Sequence, residues 1–316
     1  MTKYYIVVNP AAGGGNVERL WPKINDYLTN LNVDFQTITT SFPGHATSKV
    51  KGLLTEIHNN QTQDIVIIAA GGDGTLHEVV EGCCQFYENH PLLTKIPVTF
   101  LPIGSGNDFA RAVSMPTNWK KRINQIISSS KPTSIFIGKY RDLDSGKLGH
   151  FINNYGIGFD ATVVYTANHS LLKKNSILGR FSYIASILHV LRTFKAMPIF
   201  VTIDDKQTSI PNGYLVTTTN IPYFGGGVRI APSASIRDEK LELIIVEKPT
   251  FFQLLKFIVL LMAGKHLNLK FVHHYSKKSF TIRCEAIRHG QIDGEELGKR
   301  KYNIEFSKTQ YPFILN

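Results

Sequence analysis

Apolar positions along the 316-residue chain change their period at about residue 132. Before it, residues 3 to 8, 64 to 69 and 98 to 102 are apolar runs of the kind a strand shows when both of its faces are covered. Between them the spacing becomes helical, at Val17, Leu20, Ile24, Leu28 and Leu31, at Val50, Leu53, Leu54 and Ile57, and at Leu76, Val79, Val80, Cys83, Cys84 and Tyr87. Pro22 marks a kink or a late start in the first of these helices, and a further strand is read near Val33 to Thr39. Strand, loop and helix in repetition predict a parallel sheet covered by helices. After Ser128-Ser-Ser-Lys-Pro132 the runs shorten and alternate, at 135–140, 199–203, 214–219, 241–246, 280–284 and 302–306, which predicts antiparallel strands. Two helical stretches, about 160–194 and 250–263, interrupt them. The fold class is therefore α/β: a parallel three-layer domain over 1–132, then a mainly antiparallel, β-sandwich-like domain over 133–309 with inserted helices.

Composition bounds this picture without changing it. A chain that is 43% hydrophobic and 19% charged is globular and has ample length for two cores. Its net charge of +11 is unevenly placed. Residues 1 to 132 hold 11 Lys+Arg against 10 Asp+Glu of totals of 35 and 24, so the rest of the chain carries 24 against 14. A basic second part suits nucleic acid, an anionic membrane surface or phosphorylated substrates, and charge alone does not choose among them. Cys83, Cys84 and Cys284 lack metal-ligand spacing and are odd in number, which fits a reducing cytoplasm. The first residues read as a strand and not as a signal peptide, so export is not expected. Phe251 to Ala263 is apolar but interrupted by Lys256, and it is shorter than the ~20 residues that cross a bilayer. It is expected to be a buried helix, with an interfacial helix as the alternative.

The candidate chemistry lies in the loops after the first domain's strands, where ligands bind in such sheets. Asn9-Pro10-Ala11-Ala12-Gly13-Gly14-Gly15, Thr40 to Ala46, Gly71-Gly72-Asp73-Gly74-Thr75 and Gly104-Ser105-Gly106-Asn107 would all stand at one edge. Glycines let a backbone take positive φ or approach a ligand, and an uncapped helix start favours an anion, so phosphate is the expected ligand. Asp73 would repel a phosphate unless a divalent cation or a proton lies between them. Neither a P-loop nor a dinucleotide fingerprint is present.

These loops, in order with Asn154-Tyr-Gly-Ile-Gly-Phe-Asp160, Gly264-Lys265-His266 and Asp293-Gly294-Glu295, resemble the diacylglycerol kinase-like lipid kinases, which include bacterial diacylglycerol and phosphatidylglycerol kinases and the sphingosine kinases. The resemblance covers nearly the whole chain. It implies a first domain like that of NAD kinases and phosphofructokinases, a cleft as the active site, and a return of residues 310–316 to the first domain. It further implies an ATP- and Mg²⁺-dependent kinase whose acceptor is a lipid hydroxyl, with diacylglycerol or a related glycerolipid as substrate. ATP contacts fall to Asn9, Pro10, Ala11, Ala12, Gly13, Thr40, Gly72, Asp73, Gly74, Thr75, Leu76, His77, Glu78 and Ser105, the last in place of a more usual Thr. Catalytic roles fall to Glu295 as the base, with Asp73 and Asp293. Ser235, Asp238 and Lys240 stand where bacterial members bind a Mg²⁺ through one carboxylate and two backbone carbonyls. Two departures touch that network: Asp238-Glu239 where Asp-Gly is common, and Phe136 where many bacterial relatives carry Asp.

His45 and His266 read equally well as structural residues. Lys173, Lys174, Arg180, Arg192 and Lys195 form either a solvated helix face or a lipid contact. Peripheral contact with an anionic membrane at the inner face is expected, nucleic acid is not, and a homodimer is compatible with the sequence. The alternatives are an NAD kinase-like enzyme and a non-catalytic nucleotide- or nucleic-acid-binding protein.

Overall fold

The structure, a computed structural model, describes residues 2–60, 64–128, 131–168 and 193–315. It divides into two compact units, Met1–Ile137 with Gln310–Asn316, and Gly138–Thr309. The break between them falls within a strand, past Pro132.

The first unit runs β1 (Lys3–Val8), α1 (Asn16–Asn30), β2 (Phe35–Thr39), α2 (His45–Asn60), β3 (Ile65–Gly71), α3 (Asp73–Asn89), β4 (Val98–Pro102), α4 (Asp108–Ala112) and α5 (Trp119–Ser128). Its strands are parallel in the order β2-β1-β3-β4. Both faces are covered, which is why β3 and β4 are apolar at consecutive positions. On one face Tyr4, Ile6, Val8, Val66 and Ile68 meet Val17, Ile24 and Leu28 of α1 and Ile123 and Ile126 of α5. On the other, α3 lies against β1, β3 and β4, and α2 packs on α3. That last contact depends on Gly82, where a Cβ would stand 2.7 Å from the Thr47 carbonyl oxygen. The helix α1 runs through Pro22 without ending there.

The end of the chain is fastened into this unit by Arg122, whose side chain is fully buried. Its Nε donates to the Phe100 carbonyl at 3.0 Å, Nη1 to the Leu315 carbonyl at 2.9 Å, and Nη2 to Thr99 Oγ1 at 2.7 Å and the Ile314 carbonyl at 3.0 Å. Burial pushes this guanidinium down to about 10. Phe313 pairs in parallel with Val98 beside it.

The remaining strands are β5 (Thr133–Asp142), β6 (Leu148–Phe151), β7 (Asn154–Gly158), β8 (Met197–Ile203), β9 (Lys206–Thr219), β10 (Tyr223–Phe224), β11 (Val228–Arg229), β12 (Leu241–Glu247), β13 (Val272–Lys277), β14 (Phe280–Ile292) and β15 (Glu295–Phe313), with α6 (Phe159–Asn168) and α7 (Phe251–Met262) inserted. In the second unit, pairing is antiparallel. The long strands β9 and β14 each pair with β8 along one part and with β7 along another, so the four enclose a core of Tyr155, Ile157, Ile199, Val201, Val216 and Ile282. A second core, with Ile230, Ile244, Val246, Leu269 and Val272, lies beneath α7.

The stretch expected over 160–194 contains α6, and residues 169–192, with Lys173, Lys174, Arg180 and Arg192, lie outside the described residues. The stretch at 251–263 is a helix but not a buried one: only Phe257 is buried, while Phe252 is 81%, Val259 67% and Met262 85% exposed. Hydrophobicity there does not report burial, because the second core already closes on the opposite side of the helix.

Candidate functional site

In the first unit three glycine-bearing turns meet backbone to backbone. A Cβ on Gly104 would lie 2.3 Å from Gly72 Cα, and one on Gly13 would lie 3.3 Å from the Ile103 carbonyl oxygen. The turn after β1 is wound by Gly13, Gly14 and Gly15 at φ of 63°, 67° and 84°. Asn9 Oδ1 accepts from Ala11 N at 3.1 Å, and Asn9 N donates to the Ala70 carbonyl at 3.2 Å, which ties that turn to the end of β3. Thr40 N donates to the Val8 carbonyl at 2.9 Å and brings the end of β2 alongside.

The turn after β3 is tighter than the sequence suggests. Gly71 is the last residue of β3 and α3 starts at Asp73, so Gly72 alone separates strand from helix. Neither Gly71 nor Gly72 takes positive φ. They are glycines for space, since a Cβ on Gly71 would stand 2.3 Å from Thr75 Oγ1. No side chain caps α3, which leaves its first N–H groups to an external acceptor, and Thr75 Oγ1 is buried without a hydrogen-bond partner. Leu76 is in the core and His77 is half-buried.

Two carboxylates hold the neighbouring turns in place. Asp73 Oδ2 accepts from Asp108 N and Oδ1 from Phe109 N, both at 3.0 Å, so Asp73 caps α4 and fixes the Gly104–Asn107 turn against α3. Its two oxygens are thus engaged by backbone, and the helix it caps is α4 and not the α3 that it begins. Glu78 Oε1 accepts from Gly44 N at 2.8 Å and Oε2 from Ala46 N at 2.9 Å, which fixes the loop before α2. Within that loop His45 Nδ1 accepts from Ser41 N at 3.1 Å. Ser105 is exposed at the tip of its turn.

In the second unit Asp293-Gly294 forms a two-residue hairpin with φ of 51° and 89°, and Ile292 pairs with Glu295 across it. Asp293 is buried, and its carboxylate accepts from three successive backbone N–H groups: Ile152 at 2.7 Å, Asn153 at 2.8 Å and Asn154 at 2.9 Å. It organises the turn before β7 and fixes the hairpin that carries Glu295, which is half-buried. Nearby Asp160 is buried among Gly156 and Gln291, whose Nε2 donates to Oδ2 at 3.1 Å while Oδ1 has no partner. Burial pushes this carboxyl up to about 6.

The Lys308 ammonium stands beside two of the residues expected to bind a second-domain Mg²⁺. The Ser235 and Asp238 carbonyl oxygens each accept from Lys308 Nζ at 2.8 Å, and Asp238 Oδ1 accepts from Lys240 N at 3.0 Å in its own turn. Burial pushes the Lys308 ammonium down to about 8, against the raising influence of Asp238 and Glu242. Of the expected set of one carboxylate and two backbone carbonyls, the Ser235 carbonyl is thus engaged by Lys308 and Asp238 Oδ1 by a backbone N–H. His266 is buried, and its Nε2 meets the Ile230 carbonyl at 2.8 Å.

Comparison with known proteins matches residues 3–139 to the diacylglycerol kinase catalytic domain and residues 154–310 to the YegS C-terminal NAD kinase beta sandwich-like domain. YtlR of Bacillus subtilis (strain 168) is 29% identical over 317 residues, covering 98% of both chains. A diacylglycerol kinase of Staphylococcus saprophyticus is 32% identical over 306 residues, covering 95% of this chain and 90% of its own. A diacylglycerol kinase structure from Bacillus anthracis str. Sterne shares the fold, with a TM-score of 0.66 and 21% identity over 99% of this chain and 97% of its own.

Proposed function

The chain belongs to the diacylglycerol kinase family of lipid kinases, and on that premise we propose that it transfers the γ-phosphate of ATP to the hydroxyl of diacylglycerol or a related glycerolipid. The observation that carries the nucleotide half of this reading is the meeting of the Gly13, Gly72 and Gly104 turns at the carboxyl edge of a parallel sheet, beside an uncapped helix start. Phosphoryl transfer depends mostly on positioning and on neutralising charge around the γ-phosphoryl. Backbone N–H groups of the three turns hold the phosphates, and the Asp73 and Glu78 clamps keep those turns from spreading. The Mg²⁺ that accompanies ATP supplies the offsetting positive charge.

Glu295 accepts the proton of the lipid hydroxyl, a step that contributes about 10² to 10⁴ in rate. Asp293 acts through it, by fixing the hairpin. Glu295→Gln is expected to bind ATP as the wild type does and to lose lipid phosphorylation. Turnover unchanged from wild type would remove Glu295 from the mechanism. The decisive experiment incubates the protein with labelled ATP and a total lipid extract and identifies the labelled product. A parallel reaction with NAD tests the NAD kinase alternative, which predicts labelled dinucleotide and no labelled lipid.

A further inference from the structure

We infer that α7 is a membrane-docking helix that lies in the plane of an anionic bilayer with its outer face among the lipid headgroups. At about 100° per residue, Phe251, Phe252, Leu255, Ile258, Val259 and Met262 fall within an arc of about 120°. All six are exposed. Leu254, Phe257, Leu260 and Leu261 fall on the opposite side; Phe257 belongs to the second unit's core, and Leu260 and Leu261 pack against it. An amphipathic helix of a water-surrounded protein turns its apolar stripe inward and its polar face outward. This helix is apolar on both sides, so its outer stripe is suited to a second apolar medium.

Charge selects that medium. From residue 248 to residue 270 there are four lysines, Lys248, Lys256, Lys265 and Lys270, all exposed, and no Asp or Glu. The short strand β11, with exposed Arg229, contacts the helix and adds a further cation. Apolar residues flanked by cations match an anionic headgroup layer over acyl chains. The helix is held ready for this: Thr250 and Gln253 form a reciprocal capping box at its start. At 12 residues it is about 18 Å long, too short for the ~30 Å hydrocarbon core, and no helix among the described residues is long and apolar enough to cross a membrane.

The choice of a bilayer as partner rests on the lipid-kinase reading, and the experiment separates the two. Vesicles of phosphatidylcholine with and without phosphatidylglycerol are sedimented with wild type and with the double variant Phe252→Ser, Val259→Ser. The variant is expected to bind the anionic vesicles at least about tenfold more weakly, while its thermal midpoint and its phosphorylation of a short-chain, water-dispersed diacylglycerol remain as in the wild type. Unchanged vesicle affinity in the variant overturns the inference. So does a wild-type dimer that the variant loses without losing vesicle binding, because the face then belongs to a second copy. A wild type that binds anionic vesicles through this face yet phosphorylates no lipid supports the docking helix and sinks the kinase reading.

Discussion

Of the 17 residues of α3, 11 are buried, whereas Phe257 is the only buried residue among the 12 of α7, although α7 is the more continuously apolar of the two. The difference lies in what surrounds them. The α3 helix has β1, β3 and β4 on one side and α2 on another, so even its polar residues Glu78 and Glu81 are taken inside. By contrast, α7 covers a core on one side only. Burial thus follows the supply of partners and not the hydrophobicity of the segment, and an apolar stripe without a partner within the described chain becomes a candidate surface for an external one.

Substitutions along the two helices test this directly. The largest effect is expected for Leu76→Ala in α3, a fully buried side chain whose loss costs about 2 to 5 kcal/mol in chemical denaturation. Asp160→Asn carries the comparison to buried charge. Glu78 has two backbone donors, whereas Asp160 has an oxygen with none and a carboxyl pushed up to about 6 by burial. A raised acid favours the folded state fully below its unfolded value near 4, and that stabilisation is lost as pH rises through about 6. At pH 7.5 the variant should therefore be the more stable, by up to about 3 kcal/mol, and the gap to wild type should close on acidification through pH 6.

Glu78→Gln keeps the shape of the clamp but turns one acceptor into a donor facing a backbone N–H. It should cost about 1 to 3 kcal/mol and raise the KM for ATP more than it lowers kcat, as measured by steady-state kinetics with saturating lipid. The smallest effect on stability is expected for Phe252→Ala in α7, within about 0.5 kcal/mol of wild type. A loss of 2 kcal/mol or more there, by the same denaturation assay, would place α7 in the fold's core and end the contrast with α3.

Much of the fold was legible because it depends on periods. The parallel first unit with α1, α2 and α3, and the antiparallel second unit, appear in the spacing of apolar residues, whereas α4 and α5 do not. The strands β6, β7, β10, β11 and β13 did not, because they are short or polar and are held by neighbours and not by an internal pattern. The candidate site was legible as a set of glycine turns, but the work of individual residues was not. Gly71 and Gly72 give room for Thr75 and Gly104 and not a left-handed turn, and Asp73 caps α4, a helix that begins at Asp108. Such contacts join positions far apart in the chain, and no local pattern records them.

The sequence by itself determined where strands and helices alternate, which loops carry glycine, where positive charge gathers, and the family those motifs mark. Local spacing is enough for these, because backbone geometry repeats every 2 or ~3.6 residues whatever the surroundings. Tertiary structure alone decided that Arg122 fastens residues 314 and 315, that Lys308 sits on the Ser235 and Asp238 carbonyls, and that α7 turns its phenylalanines outward. Those outcomes depend on which groups are left without partners once the chain has packed, and that is a property of the assembled neighbours and not of any one segment.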